Sequence, residues 1–187
     1  MNFFENIDQY LFKVINIDFH NSLFDTILPL VRSPQLSMPL YLFLIVYAFT
    51  NFKKNKWMWL LFLGCLPILT DFISSDIIKE NFFRLRPCND PLMSDKIRFL
   101  LSYKPQSSSF TSSHATNHFA LAAFFYFTLK QYFKNWSILF FIWAFMICYA
   151  QVYVGVHYPL DVIVGGLIGF FIGFLIAAFF NKKFETS

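Results

Sequence analysis

The sequence predicts an all-α polytopic membrane protein, a bundle of about five transmembrane helices preceded by an amphipathic helix at the membrane surface. Three observations predict it. Of the 187 residues 57% are hydrophobic, only 14% are charged, and 28 are Phe, whereas soluble domains carry about a quarter charged residues. Apolar runs recur at about the 20-residue length that a bilayer core demands of a helix. The basic residues stand in short clusters between those runs rather than along one polar face. That pattern, with a formal net charge of only +4, argues for loops beside a membrane and against a nucleic-acid partner. The length suits one compact domain.

The elements follow in chain order. Residues 1–34 read as an amphipathic interfacial segment, because Ile7, Tyr10, Leu11, Val14 and Ile15 recur at roughly helical spacing among acidic residues. No cleavable signal peptide is expected, since the amino terminus opens with acids and has no long apolar core. A membrane domain is predicted over 35–180. Its first run, about 35–52, is short, begins with Pro and Ser, and could borrow length from "FDTILPLVRS" before it. The runs at about 57–78, 114–133, 136–154 and 159–180 qualify easily, and 181–187 remain as a short cytoplasmic tail. Cys65, Cys88 and Cys148 have neither metal nor redox spacing and read as packing residues. Asp71 and Asp76 lie within the second run, where a carboxylate in lipid is costly. They are expected to face the bundle interior or a pocket mouth, with Asp76 one turn from Lys79 and able to pair with it, or else to support polar packing between helices.

With five crossings, one side of the membrane receives Lys53, Lys54, Lys56, Lys130, Lys134, Lys182 and Lys183. The other receives the acidic amino-terminal segment, the polar 80–112 connection and the 154–159 turn. The positive-inside rule places the lysine loops in the cytoplasm and the long connection outside. Long loops are uncommon unless functional, and this topology gathers three distant places at one face. They are Lys79 at the end of the second run, Ser112 to His118 at the start of the third, and Gln151 to Asp161 between the fourth and fifth.

Each place carries groups suited to phosphate. In "KENFFRLRP" Lys79 offers a point charge and Arg86 a planar fork, although basic residues at helix ends also snorkel to the interface. In "SSSFTSSHATNHF" the serines lead into a helix, so a hydroxyl near 111–113 caps it, and the free amides of a helix start favour an anion beside His114. His114 and His118 are one turn apart, but no Glu stands beside the first as in a zinc protease, so His118 reads as a packing or hydrogen-bonding residue and no metal site is expected. In "VYVGVHYPLD" Pro159 fits a helix first turn. Asp161 then either caps that helix or accepts a hydrogen bond from His157, fixing its tautomer and leaving the other ring nitrogen as a nucleophile.

The three motifs, Lys79 with six residues before Arg86-Pro87, Thr111 to His114, and His157 with three residues before Asp161, resemble in order and spacing those of the type 2 phosphatidic acid phosphatase superfamily over about residues 35–180. The small size and "RPCNDP" are most similar to its bacterial undecaprenyl-diphosphatase and lipid A phosphatase branch. The resemblance implies that His157 attacks phosphorus and that Asp161 supports it. His114 would protonate the leaving group and then activate water. Lys79, Arg86, Ser112 and the amides near Ser113 and His114 would hold the phosphoryl oxygens. It further implies a reaction without metal or other cofactor, since fixed donors suffice for phosphoryl transfer.

Two departures bear on this. The family's Pro-Ser-Gly-His is Thr111-Ser112-Ser113-His114 here, which narrows the approach to the phosphate. Its Ser-Arg is Ala150-Gln151, so a neutral amide stands where a charge is usual. The deficit of about 1–2 kcal/mol would slow turnover roughly 5- to 30-fold, with Arg84, Arg98 or Lys104 as candidates to compensate. The expected function is metal-independent hydrolysis of a lipid phosphate at the outer, periplasmic face of a bacterial inner membrane. Undecaprenyl diphosphate is the first candidate substrate, with lipid A or phosphatidylglycerophosphate as alternatives and non-catalytic phospholipid binding or transport as a third reading. The partners expected are the lipid and the membrane; the sequence indicates no oligomeric state.

Overall fold

A computed structural model describes residues 3–184 of the chain; the tail residues 185–187 lie outside the described part. The elements are α1 (Phe3–Lys13), α2 (Ser22–Val31), α3 (Pro34–Asn51), α4 (Lys56–Asp71), α5 (Lys79–Asn81), α6 (Ser113–Phe133), α7 (Leu139–Tyr153) and α8 (Pro159–Lys183). Among the described residues every regular element is helical, as the composition requires. Three stretches are long and apolar enough to cross a membrane, Lys56–Asn81, Ser113–Tyr153 and Pro159–Lys183, and four if the bent pair α2–α3 is one span. The 41-residue stretch Ser113–Tyr153 folds back on itself. Lys134 takes a positive φ of 50°, a 3-10 turn follows over Lys134–Ile138, and α7 returns along α6 with Phe140 against Phe125 and Phe133 and Trp143 against His118.

Local chemistry sets the helix boundaries. Asn21 caps α2 by accepting from the Phe24 amide at 2.9 Å. Pro34 opens α3, so the chain bends by 55° between Val31 and Pro34. The run 35–52 therefore does borrow length from the residues before it, but through a break. Beyond α4 the backbone widens into a π turn over Phe72–Ile78 before α5. Such turns recur at functional sites, and here it turns Ser74 and Ser75 toward Ser113, each with Oγ at 3.0 Å from the Ser113 Oγ.

α6 is the central post, with α4, α7 and α8 around it. Trp59 is fully buried between Phe124, Phe125 and Phe52 and donates its ring N–H to the Thr128 hydroxyl at 3.0 Å. The α6–α8 seam is closer than side chains would allow. A Cβ at Gly169 would lie 2.1 Å from the Thr116 carbonyl oxygen, and one at Gly173 2.2 Å from that of Ala120. Gly169→Val is therefore expected to lose about 3 kcal/mol, the upper end of ordinary overpacking, read as a lowered midpoint of thermal unfolding in detergent; an unchanged midpoint would show that the seam relaxes freely.

The amino-terminal helix carries a polar attachment beside its exposed apolar residues. Its buried side chains are Asp8, Phe12 and, past its end, Asn16, whereas Ile7, Tyr10 and Leu11 are exposed. Asn16 donates to the carbonyls of Arg98 and Tyr153 and accepts from the Arg98 amide. The segment is thus pinned to the long connection and to the end of α7. Asp25 extends this attachment by accepting from Tyr153 and pairing with Arg98.

Candidate functional site

The three predicted places meet at one end of the bundle. Lys79 Nζ donates to Ser113 Oγ at 2.7 Å, Arg86 Nη1 lies 3.0 Å from His157 Nε2, and the Ser112 amide donates to the Asp161 carbonyl at 3.1 Å. α6 carries His114 in its first turn. α8 carries Asp161 at its third position, where the carboxylate takes the Tyr158 amide at 3.0 Å. Between them the chain turns at Gly155, whose φ of +89° favours glycine and whose Cβ would meet the Arg98 carbonyl at 2.9 Å. That turn delivers His157 into the interior with 2% exposure.

The hydrogen bonds fix the His157 tautomer. A guanidinium only donates, so Nε2 facing Arg86 holds the lone pair and Nδ1 holds the proton. Nδ1 is 3.7 Å from Asp161 Oδ2, beyond hydrogen-bond distance. Ser109 Oγ sits beside both, 3.4 Å from Nδ1 and 2.5 Å from the carboxylate. Of the two readings of Asp161 the capping one is present, and its contact with His157 lies at ion-pair range alongside Ser109 rather than as a direct hydrogen bond.

Burial is the chief cause that holds the His157 imidazole down to about 4, with Arg86 and Lys79 adding to it and Asp161 opposing. The ring is neutral at physiological pH. The acid limb of any activity that needs this lone pair is expected near pH 4 to 5 rather than at the ordinary histidine value, and a pH–rate profile falling at 6.5 would contradict it. The same depression has a sign for stability. Unfolded His157 takes up a proton below about 6.5 while the folded ring does not until about 4, so its contribution is lost as pH falls across that window.

Ser112 Oγ accepts from the Ala115 amide and so caps α6. Ser113 Oγ is shared among Lys79, Ser74 and Ser75. The amides of Ser113 and His114 open the helix, where an anion is favoured. His118 packs between the His114 ring and Trp143 and hydrogen-bonds the His114 carbonyl at 2.8 Å, a packing role. Asp76 is exposed and makes no ion pair with Lys79 among the described residues; Asp71 is exposed as well and accepts from Ser75. Gln151 is fully buried, and neither of its amide atoms has a hydrogen-bond partner. Among the described residues no group of three or more His, Cys, Asp or Glu is placed to hold a metal.

Four contributors escaped sequence reasoning, although one of them had been named for another role. Arg84 was a candidate to replace the missing charge at position 151. Instead it bridges two buried carboxylates, Asp161 at 2.6 Å and Asp8 at 2.7 Å, and stacks 4.1 Å from the Tyr158 ring centre. Burial opposes its charge, but the two carboxylates outweigh burial and raise it above the ordinary arginine range. Asp8 also takes the Leu160 amide at 2.8 Å. Ser107 accepts from Arg86 through its carbonyl at 2.8 Å and its hydroxyl at 3.0 Å. The serine run at 107–109 was the available signal for Ser107 and Ser109. Nothing marked Asp8, because its partners lie 76 and 152 residues away. Arg98 and Lys104 are engaged elsewhere, with Asp25 and over the Phe99 ring.

Two cations and two histidines thus gather around a capped helix start at one end of an apolar helical bundle. The chain belongs to the PAP2 superfamily, whose profile matches residues 57–185. It is 30% identical over 111 residues to the lipid A 4'-phosphatase of Porphyromonas gingivalis, a match covering 58% of this chain but only 45% of that protein. It is 24% identical over 170 residues to the undecaprenyl-diphosphatase BcrC of Bacillus subtilis, covering 90% of this chain and 82% of that one. The fold is similar to the crystal structure of a transmembrane PAP2-type phosphatidylglycerolphosphate phosphatase from Bacillus subtilis, with a TM-score of 0.74 at 21% identity over 98% of this chain and 89% of that chain.

Proposed function

We propose that this protein hydrolyses undecaprenyl diphosphate to undecaprenyl phosphate and phosphate through a phosphohistidine at His157, from the outer face of a bacterial inner membrane crossed by five helices. One observation carries the reading. A buried neutral imidazole presents its lone pair beside Arg86, and neither Arg86 nor Lys79 has a carboxylate at hydrogen-bond distance among the described residues. Such a site offers two cations and a nucleophile to an incoming anion.

In the proposed reaction Arg86 transfers its hydrogen bond from Nε2 to a phosphoryl oxygen as the substrate enters. The Nε2–P bond forms and the P–O bond to the lipid phosphate breaks, the electron pair leaving with that oxygen and a proton coming from His114. Water, deprotonated by His114, then attacks phosphorus and the P–N bond breaks, restoring the neutral ring. Ser109 Oγ faces Nδ1–H, and the Asp161 carboxylate at 3.7 Å tempers the positive charge that develops on the ring. Lys79, Arg86 and the Ser113 and His114 amides balance the phosphoryl charge, so the residues supply electrostatic stabilisation without a divalent cation. The relation to an undecaprenyl-diphosphatase over most of both chains supports the diphosphate. Lipid A is the second substrate, favoured by the Porphyromonas gingivalis relative.

The test is phosphate release by purified protein in EDTA from undecaprenyl diphosphate, lipid A and phosphatidylglycerophosphate. Release from the first at least tenfold faster than from the others is expected. Preference for another lipid would replace the substrate, and silence on all three would leave a phospholipid-binding protein.

A further inference from the structure

Arg32 stands at the break between α2 and α3, outside every motif. Its Nε is buried without a hydrogen-bond partner, and its guanidinium makes no ion pair with the described residues. The packing shows where it comes to rest. Leu28 is buried in one cluster with Ala150 and Tyr153, with Val31 and Tyr149 against it, so the end of α2 lies on the end of α7. Gln151 follows Ala150 there, fully buried with both amide atoms unpartnered. A buried amide left unsatisfied costs about 1–3 kcal/mol. A buried guanidinium nitrogen without a partner adds to the cost unless something polar and negative meets it.

Three cations share this end of the bundle. Arg32 acts electrostatically on His114 and on Arg86, and Lys79 acts on both histidines. Arg86 stands against the nucleophile and Lys79 is tied to Ser113 at the helix start, whereas Arg32, with its Nε unpartnered, is left for a further anionic group. A lipid alkoxide must be protonated to depart. A lipid phosphate can depart as an anion if positive charge waits for it.

We propose that Arg32, together with the Gln151 amide, binds the second phosphate of a lipid diphosphate, the one that leaves with the lipid. This rests on the hydrolytic reading above and deepens it, selecting diphosphates over monoesters. It also supplies from the break after α2 the charge that position 151 lacks, and it places part of the site in the amino-terminal segment that the family profile does not reach.

The test compares kcat/KM of wild type and Arg32→Gln on undecaprenyl diphosphate and on phosphatidylglycerophosphate. The loss on the diphosphate is expected to exceed that on the monoester by at least about tenfold. Equal losses on both, or no loss on the diphosphate, overturn the assignment. A second measurement needs no variant. Modification of Arg32 in wild-type protein by a 1,2-dicarbonyl, mapped by mass spectrometry, should be slowed more by inorganic pyrophosphate than by inorganic phosphate. Equal rates with the two anions also overturn it. If wild type releases phosphate from no lipid, the hydrolytic reading falls, and this protection still decides whether Arg32 meets a diphosphate.

Discussion

Phosphate release by the His157→Ala protein is expected to fall by at least about 10³-fold, with folding intact. Removing a nucleophile that acts as a unit with its partners costs as much as removing the unit, and water held beside Arg86 is a far weaker nucleophile than the imidazole lone pair. The stability change should be modest by comparison, because the neutral ring makes one strong hydrogen bond, from Arg86 at 3.0 Å. The decisive readout is therefore the acid-labile phosphoenzyme. It should accumulate in a rapid quench of wild type with labelled substrate and be absent from His157→Ala. A phosphoenzyme that survives the substitution would move the covalent step to another residue.

Arg84→Ala is expected to be the most damaging substitution to the fold. Arg84 holds two carboxylates that are 3% and 0% exposed, and removing it leaves both charges buried without their partner. Breaking a buried pair in this way costs about 3–5 kcal/mol. The thermal unfolding midpoint in detergent should fall accordingly, and activity with it, because Asp161 loses one of the groups that orient it. Asp8→Asn leaves the Arg84–Asp161 contact in place and should lose clearly less. Equal losses in the two variants would mean that the bridge to α1, not the pairing of Asp161, carries the effect.

Much of this architecture was legible in the sequence because membranes impose simple rules. Run lengths and the clustering of lysines announced the helices, and the loops that join them dictated which ends come together; Lys79, Ser113, Arg86 and His157 then fell within reach of one another. The resemblance of the motifs supplied roles that spacing alone left open. What stayed hidden depends on contacts far apart in sequence. The buried face of α1 runs through Asp8, Phe12 and Asn16, and only their partners in the long connection and α8 reveal that polar groups belong inside. Periodicity marked Ile7 and Leu11 for the membrane surface, and the fold leaves them on the outside, but it says nothing of the polar side chains buried opposite. Spacing left Asp161 open between capping α8 and bonding His157, because both draw on one carboxylate. A spacing of four residues brings them near, but the helix start draws the carboxylate onto the Tyr158 amide, and Ser109 occupies the oxygen that faces the ring.

The contact between α6 and α8 has a mechanical consequence. Backbone touches backbone at Gly169 and Gly173, and the same face continues to Gly165, where a Cβ would lie 2.7 Å from the Ser112 carbonyl. The two helices therefore move as one rod, with His114 at the head of one and Asp161 at the head of the other. A bilayer that thins, thickens or bends tilts that rod as a whole, and the spacing between the two heads is insulated from the lipid around them.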